Sequence, residues 1–249
     1  MGPLLLAIGR NLRTTTRQTH HYMSTLVAPP PSAITAATLH ITQILVSYED
    51  AVRLLKIRDT YDWHQRVWQV FGGRDGASRD FLTRVDRIEE SYRLIIVSTA
   101  QPQKPDWCPT DCFQTKLIPN TFFSHRRYHF SLLANPTKKL RVDNPDGVRK
   151  KNGRRVPLHK REDLVAWLKR KAEAGGFRID PATLRTVPRG REYFHKPGAN
   201  GLHAAVDFKG ILEVTEPAVF RETFQQGIGS AKAFGFGLLV IIPIDQPIK

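Results

Sequence analysis

The chain has 249 residues, 41% of them hydrophobic, enough for one large core or two small ones. Lys and Arg number 38 against 23 Asp and Glu, a formal charge of +15 that repels itself until an anion arrives and points to nucleic acid. No apolar run reaches transmembrane length, and two cysteines imply no disulfide framework.

Residues 1–35 are rich in Thr, Arg and Pro and end near Pro29-Pro30-Pro31. They read as a disordered extension, or as an over-extended gene start with Met23 as the true first residue. The apolar stretch 4–8 is too short for a signal-peptide core, so a cytoplasmic protein is expected. Residues 39–47 alternate apolar and polar, rich in β-branched side chains, and predict a strand. Residues 61–71 predict a helix with Asp59 as N-cap and Gly72-Gly73 as its stop. Residues 79–86 and 91–99 predict two strands around a tight turn. Residues 127–134 predict a strand, and 161–173 an amphipathic helix closed by Gly175-Gly176. Residues 177–187 and 202–214 predict strands, 216–226 a short helix, and 237–244 a buried strand.

The second half thus reads β-α-β-β-α-β, the ferredoxin-like order. The first half reads β-α-β-β, with no clear second helix or last strand. The expected class is α+β with two tandem ferredoxin-like (RRM-like) domains. They would span 36–115, carrying the 61–71 helix, and 116–249, carrying a glycine-rich loop.

Tyr61 and His64 are three residues apart and share one face at the start of their helix, opposite Trp63, Val67 and Val70. A helix start attracts phosphate, and an imidazole beside a bound phosphate suits RNA cleavage, which needs one proton removed from a 2′-OH and one given to the departing 5′-oxygen. Taken alone, the pair reads more readily as a surface histidine beside a half-buried tyrosine. Residues 227–237 (GIGSAKAFGFG) place Gly227, Gly229, Gly235 and Gly237 around Ser230 and Lys232. Backbone amides and one lysine in such a turn suit a phosphate; a tight connection that only serves packing is the alternative, and the lysine and the net charge favour the anion. The spacing fits neither a P-loop nor a dinucleotide fingerprint. Residues 138–161 hold ten Lys or Arg against two Asp, including Arg154 and Arg155, and suit a phosphate-tracking surface. A second basic segment with Arg189, Arg191 and Lys196 reads as a loop at a hairpin tip able to enter a nucleic-acid groove. Cys108, Cys112, His125 and His129 match zinc-finger spacing, but the stretch that holds His129 reads as a strand where a finger needs a helix, so no metal is expected. Acidic residues are scattered rather than paired, which argues against a magnesium nuclease.

Several segments together carry a resemblance: residues 59–64 (DTYDWH), 133–140 (LANPTKKL), 152–158 (NGRRVPL), 164–168 (LVAWL) running on to Gly175-Gly176-Phe177, and 227–239 (GIGSAKAFGFGLL). Spread over 38–245, they make the chain similar to the CasE (Cse3) family, the CRISPR RNA endoribonucleases of type I-E systems. The resemblance implies two ferredoxin-like domains. It implies cofactor-free cleavage of repeat RNA at the base of a stem-loop, leaving a 5′-hydroxyl and a 2′,3′-cyclic or 3′-phosphate. It implies His64 and Tyr61 as the catalytic pair, RNA contacts from the glycine-rich loop with Lys232 as its cation, and a groove-inserted basic hairpin around residues 189–196. The partners implied are the repeat hairpin and the other Cascade subunits, with no membrane, and with DNA met only through that complex. Gln69 stands where the family often has a basic residue, so its phosphate contact falls to Arg66, Arg74 or Arg79. The alternative is a non-catalytic hairpin-binding subunit with a degenerate site.

Overall fold

A computed structural model describes residues 38–72, 78–140 and 154–244. The extension expected over 1–35, Arg74, and the part of the basic stretch from 141 to 153 lie outside the described residues.

The first lobe contains β1 (Leu39–Ser47), α1 (Tyr48–Arg53), α2 (Thr60–Trp68), β2 (Phe81–Ile88), β3 (Ser91–Ser98) and β4 (Phe113–Ile118). The second contains β5 (Arg127–Ala134), the small β6 (Thr137–Leu140) and β7 (Arg154–Pro157), α3 (Arg161–Ala174), β8 (Phe177–Ile179), β9 (Arg185–Lys196), β10 (Ala199–Val214), α4 (Pro217–Gln226) and β11 (Leu239–Pro243). The first sheet runs β2-β3-β1-β4 and the second β11-β5-β10-β8, antiparallel throughout. Within each lobe this is fourth, first, third, second strand, so the chain is two tandem ferredoxin-like lobes. Among the described residues the first lobe replaces its second helix with an irregular segment ending in a 3-10 turn at Thr110–Cys112. β4 crosses the 115/116 position drawn from element order, and its pairing to β1 through Ile118 keeps it in the first sheet.

The sequence reading joined 177–187 into one strand, but Asp180 ends it. Its carboxylate accepts from Ala182 N–H at 3.0 Å and its carbonyl from Thr183 N–H at 3.2 Å, a local turn that competes with the ladder. The basic segment around 189–196 is likewise not a loop. It is the far part of strand β9, paired with β10 from Arg185 through Lys196, and the tip is Pro197-Gly198. Gly198 has φ 76°, the geometry a type II turn requires after proline.

β3 is buried continuously from Leu94 to Ser98 because both its faces are covered. Leu94 and Ile96 pack with Ile44, Trp63 and Val67 under α2. Ile95 and Val97 join Leu39 and Leu82 in one core with Phe208, Phe220 and Trp167 of the second lobe. Arg84 of β2 is 5% exposed at this contact. It bonds Asp86 at 2.8 Å and Ser131 of β5 at 2.8 Å, and it lies 3.7 Å from Asp207 of β10, which is 3% exposed. Among the described residues no helix is long and apolar enough to cross a membrane. Removing one partner from a buried ionic network strands the other charges. Arg84→Met is therefore expected to lower the unfolding free energy by about 3 kcal/mol, measured by urea denaturation.

Candidate active site

Helix α2 begins on Asp59, whose Oδ1 accepts from the N–H groups of Tyr61 at 2.8 Å and Asp62 at 3.3 Å. Its Oδ2 accepts from the backbone N–H of His195 on β9 at 2.8 Å and lies 3.0 Å from that residue's Nδ1. Burial works to raise the Asp59 pKa, but the hydrogen bonds from His195, Tyr61 and Asp62 outweigh it and leave it lowered. One carboxylate thus starts the helix and fastens the hairpin arm to it.

Trp63 and Val67 face the core, and Tyr61 and His64 are half-buried with ring centroids 6.3 Å apart. His64 lines a cavity of about 540 Å³ between α2, β9 and the glycine-rich turn, sharing its walls with Arg191, Tyr193, His195, Phe234 and Gly235. Tyr61 is not among the wall residues. Phe234, in the turn, sits 6.4 Å from the His64 ring, 4.4 Å from Phe194 on β9 and 4.9 Å from His203 on β10, so one aromatic ring ties the turn to both.

His64 Nε2 accepts from the indole N–H of Trp68 at 3.2 Å. An indole only donates, so Nε2 holds a lone pair and the neutral ring carries its proton on Nδ1. Trp68 is itself braced edge-on against Phe81, 4.9 Å away. Burial first, and then the positive charge of Arg79, push the His64 pKa below its ordinary value.

Arg79 Nη1 is buried with no hydrogen-bond partner among the described residues, and burial lowers its pKa. Lys232 donates from Nζ to the carbonyl of Gln226 at the end of α4, 2.7 Å away, leaving two further ammonium protons. Burial, then Arg79, then Lys171, push its pKa down. His64 and Lys232 are each depressed by the charge of Arg79, so added positive charge there is unfavourable and an anion is welcome.

His64, Gly235 and Arg191 line one cavity, Tyr61 neighbours His64, and Lys232, which is not among the wall residues, is linked to them through the charge of Arg79. Arg189 and Lys196 stay exposed along β9. Gly229, Ser230 and Arg155 line a separate groove, and Arg154 opens β7. Gly227 and Gly237 do not offer amides to a ligand, contrary to expectation. Their N–H groups bond the carbonyls of Thr223 and Leu133, each at 2.8 Å. A Cβ at Gly227 would lie 2.8 Å from Leu82, and one at Gly237 2.7 Å from the Ile228 carbonyl, so both positions serve close packing. Of the cations offered in place of Gln69, Arg66 donates to the Leu55 carbonyl at 2.9 Å, and Arg79 is the one placed beside His64. Cys108 lies in the first-lobe core, its thiol pushed up to about 11 by burial and by Cys112, whereas His129 is exposed on β5. Among the described residues no three His, Cys, Asp or Glu side chains gather as a metal site. Sequence reasoning missed Trp68, whose i, i+4 spacing from His64 was a usable signal. It also missed Phe234 and the Asp59–His195 link, which no local pattern marks.

The profile of the family described as CRISPR associated protein matches residues 39–243, which gives the class. The CRISPR system Cascade subunit CasE of Escherichia coli K12 is 30% identical over 194 residues, covering 75% of this chain and 94% of that protein. The CRISPR-associated endoribonuclease Cse3 of Thermus thermophilus is 32% identical over 223 residues, covering 82% and 99%. The structure of Thermus thermophilus Cse3 bound to an RNA representing a pre-cleavage complex superposes with TM-score 0.62 at 26% identity, covering 83% of this chain and all of that one. The chain belongs to the CasE (Cse3) family of CRISPR-associated proteins.

Because the Trp68 N–H favours the unprotonated Nε2, removing it favours the imidazolium. Trp68→Phe, which keeps the ring against Phe81, is expected to raise the His64 pKa toward its ordinary value and to mix the two tautomers. Imidazole nitrogen NMR of histidine-labelled protein, with His64→Ala for assignment, measures both.

Proposed function

We propose that this protein is a metal-independent endoribonuclease that cuts CRISPR repeat RNA at the base of a stem-loop and stays on the product hairpin as a cytoplasmic Cascade subunit. The observation that carries the reading is that His64 and Lys232 both feel the charge of Arg79, whose buried Nη1 lacks a partner among the described residues. A phosphodiester supplies the negative charge this group lacks. The names of the two relatives, one an endoribonuclease and the other a Cascade subunit, support the same reading.

In the proposed mechanism the 2′-oxygen bonds to phosphorus as the P–O5′ bond breaks, leaving a 2′,3′-cyclic phosphate and a 5′-hydroxyl. The proton lost from the 2′-hydroxyl is balanced by the one gained at the 5′-oxygen. Tyr61 orients the 2′-hydroxyl. Water carries the proton from the 2′-hydroxyl to the 5′-oxygen, while neutral His64, its Nε2 held by Trp68, donates a hydrogen bond from Nδ1–H to the charge developing at the 5′-oxygen. Arg79 and Lys232 stabilise the extra charge of the phosphorane, a role in which one lost donor costs about 10²–10³ in rate. The stem lies against the β9–β10 arm, where Arg189, Arg191 and Lys196 are exposed with Tyr193 among them. On this division the first lobe carries the catalytic helix and the second carries the glycine-rich turn. Contacts to the stem survive the cut, so product release limits turnover.

The test uses repeat RNA in EDTA, resolved on denaturing gels after a single turnover. Wild type is expected to yield two fragments. His64→Ala is expected to bind the hairpin with unchanged affinity but cut at least about 10²-fold slower. Arg79→Gln is expected to slow cutting about 10²-fold. Undiminished cutting by His64→Ala would remove this histidine from the chemistry, and a wild type that binds without cutting would favour the non-catalytic alternative.

A further inference from the structure

A second groove, of about 520 Å³, lies between the β6–β7 pair, α3 and the other flank of the glycine-rich turn. Lys138, Lys139, Arg155, Arg170 and Lys171 line it together with Ser230, and among the described residues no carboxylate does. Two features separate it from an ordinary solvated basic face. Lys139 and Arg155 stand directly opposite each other in the β6–β7 ladder. Like charges so placed destabilise a two-stranded pair that is already marginal alone, so the arrangement has a cost that an anion relieves. The groove is also electrically continuous with the active site: Lys171, on its wall, is close enough to depress the Lys232 pKa, and Arg79 depresses both Lys232 and His64. The turn itself spans the two sites, with Gly229 and Ser230 in the groove and Phe234 and Gly235 at the His64 cavity. Gly229 rests on the Trp167 ring, where an added Cβ would lie 3.1 Å away, which gives the groove a firm floor.

We propose that this groove binds the phosphates of the unpaired RNA strand that continues beyond the cut, which makes the substrate a hairpin plus its single-stranded flank. The inference rests on the hairpin-cleaving reading above. A strand leaving the stem passes the scissile phosphate at His64, Arg79 and Lys232 and follows the same line of cations over the turn. An acidic protein partner would satisfy the charge of the groove, but it has no need of a track that runs on to the catalytic histidine. The flank departs with the cleaved fragment, so these contacts favour substrate over product and help the enzyme exchange one for the other.

The experiment compares two repeat RNAs, one ending at the cut and one continuing past it. The longer carries a 2′-deoxynucleotide at the cut so that it stays intact. Binding is measured by fluorescence anisotropy across a salt series, with wild type and with Lys138→Glu/Arg170→Glu, both exposed positions. Wild type is expected to hold the flanked RNA about tenfold tighter than the bare hairpin, with a salt slope steeper by about 2, as roughly three single-strand phosphate contacts give. The double variant is expected to lose that advantage while binding the bare hairpin as wild type does, which also reports that it is folded. No flank advantage in wild type overturns the proposal. Equal weakening of both RNAs by the variant overturns it too, by making the groove a stem contact. A variant that keeps the flank advantage yet no longer joins the other Cascade subunits assigns the groove to a protein and also overturns it. Failure of wild type to bind even the bare hairpin would instead sink the parent reading.

Discussion

Positive charge gathered without a counter-ion among the described residues is the constraint around which this molecule is organised. Arg79 has a buried N–H with no partner among the described residues, Lys232 is depressed by burial and by two neighbouring cations, and His64 is depressed by burial and by Arg79. A fold that meant only to be stable would avoid such a grouping, since each desolvated cation costs free energy. It persists because the elements bearing these residues are fixed by other forces. α2 is held by Trp63 and Val67 in the first core. The segment that leads from Arg79 into β2 and the turn before β11 are held by the shared core that Leu82, Ile228 and Leu238 help to build.

Geometry at the site follows from two small polar links. Asp59 caps the helix bearing Tyr61 and His64 with one oxygen and grips the backbone of β9 with the other, so that helix and the basic arm share one anchor. Trp68 sets the tautomer of His64 from one helical turn away. Neither residue reacts. Each removes a degree of freedom that RNA binding would otherwise have to freeze. The glycine-rich turn divides its labour in the same spirit: Gly227 and Gly237 let it pack tightly, while Phe234, Gly235, Gly229 and Ser230 face two different cavities.

Much of this was legible in the chain and some was not, for physical reasons. β1 and β5 begin and end where alternation begins and ends, because each has one face in a core. α2 was readable from its cap and its apolar face. β4 escaped because its residues are largely exposed at a sheet edge, with no apolar period to reveal them. β6 and β7 escaped because a short basic ladder looks like a solvated loop. The His64–Tyr61 pair was visible as a spacing and in the family resemblance, and the ferredoxin-like order as an element sequence. Arg79 stood only as one of three replacements for Gln69, since a grouping of cations from a strand entrance and a distant turn leaves no local pattern. The basic arm was recognised by composition but mistaken for a loop, because Arg189, Gly190 and Pro197 resemble loop chemistry and only pairing with β10 reveals the strand.

The central claim is that one phosphate, the scissile one, completes the charge balance among His64, Arg79 and Lys232. It is tested most directly by replacing that single phosphate with an uncharged methylphosphonate and measuring binding to wild type and to Arg79→Gln/Lys232→Met. The account predicts that the neutral linkage weakens binding to wild type and has little further effect on the double variant, because both changes remove the same contact. Independent, additive losses would contradict it and place the scissile phosphate elsewhere.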